Sequence, residues 1–490
     1  MRKASFPGFL LLAAVLTTAV SGGVEPGLFS LDAYLGQVRG GNEALKASRA
    51  SASAMSLKSL EIDMNFSPML TGSLAWLDDR KEPASLFTPE RTRADVWSVG
   101  LAKKFFTGTT FSANYGMTHT MLFYPALPSM YAGLLPGAAT WDALPSLSIS
   151  QSLLRDFMGG ITNSGVAKVK GLARAGELGE KYRAQAALFG AEQSYWSLAL
   201  ARETLKAKEE SLGRTTRMRD WTAKRARLNI ADKADLLQMD AAVKFKELDL
   251  AMSRQNEKSA SRAFNSARGR EGDFVEEHLE DIAERISFQA GNLWKEGDRL
   301  DVQASAAMLD SAKAASRETF YRSLPELNVF GTVALSGHDI TGMEAHDRAM
   351  RGDWPIYTVG AALTAPLDVF TLSKVRKGYD QDYVAAQASH RNAELYQEQD
   401  WKGLLARWDD VKVKLGLATD IRKLQEDRMS AEQKRYENGR ITTLQLISAE
   451  EDFSSAQLTW LAMGFERLLI EAQARMYNGG YETGEGTGRR

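Results

Sequence analysis

Chemistry at neutral pH needs titratable side chains held together, and this chain offers few candidates. Its histidines stand at 119, 278, 338, 346 and 390. His338 and His346 share a glycine-bearing segment with Asp339, Glu344 and Asp347. Imidazole nitrogens and carboxylates together suit a divalent metal, while an acidic exposed loop has the same composition. There is no cysteine, so disulfides, thiolate metal sites and a lipidated N-terminal cysteine are all absent. No nucleophile elbow, phosphate loop or HExxH occurs. Acid pairs elsewhere fall on stretches that read as solvated helix faces. The expectation is a protein without catalytic residues, metal or cofactor.

The elements that would hold any site come next. Arg2 and Lys3 precede an apolar run from Phe9 to Val20, which ends in small residues at Ala19, Ser21, Gly22 and Gly23. That order predicts a secretory signal peptide over residues 1–22. The run is about a dozen residues, short of the roughly 20 that a membrane span needs. No later apolar stretch reaches 18 residues, so the mature chain can cross a bilayer only as a closed β-barrel. The 61 basic and 62 acidic residues give a net charge of -1 and are spread along the chain. Nucleic-acid binding, which concentrates positive charge on one face, is not expected.

Two textures alternate. Leu31 to about Asp63 reads as helix, then Pro68 opens a β-like run from Met69 to Trp76. Pro83 and Pro89 mark a polar loop. Asp95 to Thr120 resumes strand texture, with Gly108 marking a turn. Met121 to Trp141, rich in proline, glycine and aromatics, reads as a long exposed loop, and Leu147 to Gln151 as a short strand. Tyr115, Phe123, Tyr124 and Tyr131 could form an aromatic girdle or lie buried under an external loop.

The helical stretches carry the firmer pattern. Tyr182, Phe189 and Trp196 recur every seven residues. Trp401, Leu404, Trp408, Val411 and Leu415 follow a 4–3 alternation, as do Leu446, Ala449, Phe453, Ala456, Trp460 and Met463. Such spacing lays an apolar seam down one helix side and implies supercoiled packing. A helix of ~50 residues is ~75 Å long, too long for the core of a compact domain. A secreted coiled-coil scaffold or adhesion protein would share this pattern, yet would not need two β regions at matched places.

Those places do match. Phe66-Ser67-Pro68-Met69-Leu70 has a counterpart in Leu324-Pro325-Glu326-Leu327. Ser152-Leu153-Leu154-Arg155-Asp156-Phe157, a strand-to-helix junction, matches Pro366-Leu367-Asp368-Val369-Phe370. The helix turn from Asn229 to Leu237 corresponds to Gly439 to Ile447. Two related halves follow, each of strands, long helix, turn and long helix. The expected organisation is a first repeat over 23–265 (strands about 66–152, helical hairpin about 158–265) and an inserted element over 266–297. A second repeat covers 298–477 (strands about 325–367, helical hairpin about 371–476), and 478–490 is a flexible tail.

In this order and duplication the chain resembles the TolC-like outer membrane efflux proteins, over nearly the whole mature length. The resemblance implies a mostly α, mixed fold in a homotrimer. Each subunit would give four strands to a twelve-stranded transmembrane β-barrel, continued by a periplasmic α-helical coiled-coil barrel, with the 266–297 insertion in an equatorial band. It further implies an outer membrane location, with most of the chain in the periplasm. The implied partners are outer membrane lipid, a periplasmic adaptor protein and an inner-membrane transporter, in tripartite efflux or type I secretion. The family's tunnel narrows at the helical tips, where the second tip often carries two aspartates. Gln445 and Ser448 occupy the matching positions, so that acidic ring is absent and they become the constriction candidates. Asn229, Ile230, Asp232, Asp235, Gly439, Ile441 and Leu444 are the candidates for adaptor docking.

Overall fold

The computed structural model describes residues 28–85, 88–124, 139–228, 232–287 and 291–481. The expected signal peptide, Tyr131, Asn229, Ile230 and most of the expected tail lie outside these residues. The chain divides into two compact units, one of Met1–Gly41, Ala191–Gly291 and Lys414–Leu469, the other of Asn42–Gly190, Asn292–Val413 and Ile470–Arg490.

In chain order the elements are α1 (Leu31–Gly41), α2 (Glu43–Lys58), α3 (Glu61–Met64), β1 (Met69–Arg80), β2 (Arg91–Lys104), β3 (Thr109–Phe123) and β4 (Ala139–Ser152). Then follow α4 (Gly160–Arg227), α5 (Lys233–Ala267), α6 (Ile282–Ser287), α7 (Leu300–Arg322), β5 (Glu326–Leu335) and β6 (Gly337–Asp339). The chain continues through α8 (Gly342–Arg351), β7 (Pro355–Thr364), α9 (Val369–Glu437) and α10 (Thr443–Ala474). No described helix is long and apolar enough to cross a membrane.

The seams read from the sequence are buried in part, with Tyr182, Phe189, Trp401, Leu415, Trp460 and Met463 half-buried. Trp196, Leu404, Trp408 and Val411 are at most 3% exposed, and Leu446 and Ala449 are fully covered. α4 has 68 residues and α9 has 69, so each continues well past the ~50 expected. Neither contains proline, the residue that would break it.

In the first unit, an aromatic cluster fastens the chain start to the helices. The Tyr34 ring stacks on Phe264 at 4.2 Å, and its hydroxyl donates to the Phe264 carbonyl at 3.1 Å. Tyr195 donates to the Phe29 carbonyl at 2.7 Å and accepts from the Glu280 amide at 3.0 Å. Burial raises both phenol pKa values. In the segment that follows α5, Val275, Leu279 and Ile282 are buried, whereas Phe274 is exposed. Arg202 holds it by donating to the carbonyls of Val275 and Glu277. Gly464 of α10 lets Ile282 approach, since a Cβ there would stand 2.9 Å from its Cγ2.

The second unit contains one antiparallel sheet in the order β1-β2-β3-β4-β5-β7, with β6 paired to β4. Here the structure corrects the expectation of four strands per subunit. Six strands of 10–15 residues lie side by side. The first half supplies four of them, with β2 turning into β3 at Phe105–Gly108, where Gly108 has φ of 76°. The expected loop over Met121–Trp141 is shorter too, because Met121–Phe123 belong to β3 and Ala139–Trp141 to β4. Pro145 obscured β4. It falls between the pairing of β4 with β5, which stops at Ser146, and that with β6, which starts at Ala143. A missing N–H is tolerated at such a gap.

At the strand-to-helix joint, Asp156 accepts from the Thr162 amide at 2.9 Å and pairs with Lys104 at 3.1 Å. Leu153 and Leu154 are partly exposed beside it, the Leu153 amide donating to the Leu327 carbonyl at 2.7 Å. At the second joint Leu367 is 93% exposed, and Asp368 caps α9 by accepting from the Thr371 amide at 3.0 Å.

Candidate functional site

Two places in the fold carry functional information: the second helical tip and the two faces of the sheet.

The α9–α10 turn is built by local rules. Gly439 takes φ of 69°, its N–H bonds to the Tyr436 carbonyl at 2.9 Å, and the Arg440 N–H bonds to the Arg435 carbonyl at 2.9 Å. This is a left-handed glycine cap with the two reversed hydrogen bonds that satisfy orphan carbonyls. α10 then opens with a capping box. Gln445 Oε1 accepts from the Thr442 amide at 2.9 Å, and the Gln445 amide donates to Thr442 Oγ1 at 3.3 Å. Gln445 and Ser448 are both exposed, three residues apart on one helix face. Leu444 is 64% exposed, whereas Ile441 packs against the tip core. At the first tip the Asp232 amide donates to the Asp235 carboxylate at 3.4 Å, so Asp235 stands in the repeat where Gln445 does. Gln445 and Asp235 each use their side chain to cap a helix start.

Of the residues that tie the tips together, sequence reasoning found Leu446 and Phe453 and missed the rest. Met218, Met239, Met429, Tyr436, Leu446 and Phe453 form the tip core. The Tyr436 hydroxyl lies 2.6 Å from Thr222 Oγ1 and 3.2 Å from Thr443 Oγ1. Arg225 donates to the Tyr436 carbonyl at 3.1 Å and stands 5.5 Å over its ring. Farther along, the buried Glu450 carboxylate accepts from Arg214 Nε at 2.9 Å, Arg214 Nη2 at 3.1 Å and Ser211 at 2.8 Å. A charged residue one position past Ala449 in an apolar seam was the available signal for it.

The histidines are not brought together. His338 Nδ1 lies 2.6 Å from Asp142 and His346 Nδ1 lies 2.7 Å from the Tyr115 hydroxyl. Among the described residues, no group of three or more His, Asp or Glu is placed to hold a metal ion. The segment is also not the loop its composition suggested but β6 followed by α8.

Register separates the sheet into two faces. Leu70 pairs with Leu101, Leu101 with Ala113, Ala113 with Leu147, Leu147 with Val333, and Val333 with Tyr357. Side chains alternate along a strand, so Leu74, Val99, Phe111, Ile149, Val329 and Val359 share that face. It is apolar and exposed, with Leu74 at 89% and Val359 at 83%. The opposite face carries Thr71, Ser73, Ser98, Ser112, Asn114, Ser146, Ser148, Thr332 and Thr358, bonded crosswise at Ser73–Ser98 and Ser148–Thr332, both 2.8 Å. A water-soluble sheet would bury its apolar face. This one leaves apolar residues exposed on one side and small hydroxyls on the other.

Solved structures with the same arrangement exist. The outer-membrane channel OprN superposes with a TM-score of 0.66 at 14% identity, over 92% of this chain and 90% of that one. VceC, an outer membrane protein of Vibrio cholerae, gives 0.65 at 12% identity, over 92% and 96%. The MtrE outer membrane channel of Neisseria gonorrhoeae, in its open state, gives 0.60 at 14%, over 92% and 88%.

The chain has the fold of outer-membrane channels.

No family model and no curated relative matches the sequence itself.

Proposed function

We propose that the protein is the outer membrane subunit of a trimeric export duct, a passive channel rather than an enzyme. The division of the sheet into an apolar and a hydroxyl-bearing face carries this reading, supported by the fold shared with outer-membrane channels. β1 and β7 end the sheet order and have open edges. Unpaired edges are unacceptable in hydrocarbon, so β1 of one copy joins β7 of the next. Strands alternate in direction along the order β1-β2-β3-β4-β5-β7, and this makes the junction antiparallel as well. Six strands cannot close alone, because the smallest such barrels have about eight. Three copies close at eighteen strands rather than twelve, a size at which barrels hold an open aqueous lumen.

The helical hairpins line the duct on the periplasmic side. Gln445 and Ser448 face its narrow end, and the exposed Leu444, with Asn229, Ile230, Asp232, Asp235, Gly439 and Ile441 around it, meets a periplasmic adaptor linked to an inner-membrane transporter. With glutamine and serine at the constriction, no carboxylate ring attracts cations there.

Planar-bilayer recording tests this. The protein is expected to give discrete single-channel currents insensitive to millimolar divalent cations, and the Gln445→Asp, Ser448→Asp double variant to become blockable by them. Insertion without current, or a variant as insensitive as the parent, contradicts the assigned constriction.

A further inference from the structure

α8 is out of place for a helix in a connection between strands. It does not stand off in solvent but lies on the apolar face of the sheet. Ala345 and Ala349 are fully buried against Met117 and Ala143, with Trp97, Tyr115 and Trp141 around them. Two glycines permit this contact. A Cβ on Gly337 would collide with the Ala345 carbonyl and the Ala349 amide, and one on Gly342 would come within 3.3 Å of the Trp141 ring. The helix is capped at both ends, by the Thr341 hydroxyl accepting from the Glu344 amide at 3.3 Å and by Gly352 at φ of 73°.

Helical geometry sorts α8 into three stripes, with the exposed Asp347 between the second and the third. Gly342, Ala345 and Ala349 face the sheet. Met343, His346 and Met350 form a second stripe, with Met343 at 74% and Met350 at 50% exposure. Glu344, Arg348 and Arg351 form the third, all exposed.

Contacts orient these stripes along the strands. His346 bonds Tyr115, which pairs with Pro145. Arg348 bonds Asp339, which pairs with Trp141. From Pro145 to Trp141 is four residues, ~14 Å at about 3.4 Å each. The methionine stripe therefore faces the middle of the sheet and the charged stripe faces the ends of the strands away from the helix joints. On the methionine side the apolar face sinks into a groove of about 420 Å³, lined by Val99, Leu101, Tyr115, Pro145, Leu147 and Leu335.

We propose that α8 is an interfacial helix, lying flat at the boundary between headgroups and acyl chains of the outer leaflet. Met343 and Met350 rest against acyl chains, one of which fills the groove, while Arg348 and Arg351 lie among lipid phosphates. Both the polarity order along the strand and the continuity of the methionine stripe with the exposed apolar face favour lipid over a protein partner. Ile340 and Trp354, 70% and 72% exposed just outside the two ends, extend the same contact. The proposal rests on the barrel reading, and its test separates the two.

The chain has no cysteine, so single substitutions give unique labels. Nitroxides are placed at Met343→Cys, Met350→Cys, Glu344→Cys and Arg351→Cys, with Leu74→Cys and Val359→Cys as wall controls. The full-length protein is reconstituted in phosphatidylethanolamine–phosphatidylglycerol vesicles, and relaxation by oxygen is compared with relaxation by a water-soluble nickel chelate. Labels at 343 and 350 are expected to favour oxygen several-fold over those at 344 and 351. Wall labels in oil with all four helix labels in water would overturn the interfacial helix alone. Wall labels in water would overturn the barrel reading and this proposal with it.

Discussion

The Tyr436 hydroxyl and Thr222 Oγ1 stand 2.6 Å apart, which joins the last turns of α4 and α9 by a buried hydrogen bond. The same hydroxyl reaches Thr443 Oγ1 at 3.2 Å, at the start of α10. Three helices thus meet on one phenol at the tip.

Tyr436→Phe keeps the ring and removes both bonds. At roughly 0.5–1.5 kcal/mol for each net hydrogen bond, the loss is about 1–3 kcal/mol. Hydrogen exchange is expected to quicken in the final turns of α4 and α9, with α2 unchanged. Equal protection in parent and variant would show that the phenol does not fasten the tip.

Glu450 and Arg214 form a pair of which the carboxylate side is 2% exposed. Removing one partner strands a buried charge, so Glu450→Ala is expected to cost about 3–5 kcal/mol. An Arg214→Met, Glu450→Leu double variant should recover most of that, since the seam from Leu446 to Phe453 accepts apolar side chains. Denaturant titration of parent, single and double variants measures both. A double variant weaker than the single one would mean that the pair stabilises beyond its own charges.

Glu203 gives the clearest pH dependence. Burial raises its pKa above the ordinary carboxylate range, although its carboxylate accepts from the Ile282 amide at 2.5 Å. The folded state therefore holds this proton more tightly than the unfolded chain does. Stability from this site is full below the ordinary carboxylate range and falls as pH rises from there through the higher folded value. Glu203→Gln is expected to flatten the melting temperature over that interval. An unchanged slope would remove Glu203 as its source.

Much of this fold was legible in the sequence. A seven-residue aromatic spacing from Tyr182 to Trp196 predicted α4, and Gly439 before Ile441 and Leu444 predicted the second turn. Both depend on local rules that act through a few neighbouring residues. The sheet was harder, because its strands alternate small hydroxyls with apolar residues and neither side looks like a core. Pro145 hid half of β4 for a reason visible only once β5 and β6 were seen to flank it. The charges of α8 read as acidic surface, although Thr341 and Glu344 already have capping-box spacing. Tyr436 and Thr222 became visible only when helices distant in sequence were laid side by side.

The most direct test of the export-duct reading is an electron cryomicroscopy map of the full-length protein in lipid nanodiscs. Three copies around one closed wall of eighteen strands, with Leu74 and Val359 facing lipid and Ser98 and Ser148 facing the lumen, is the predicted result. A soluble single copy with an open sheet, or an assembly whose hydroxyl face meets lipid, would contradict it.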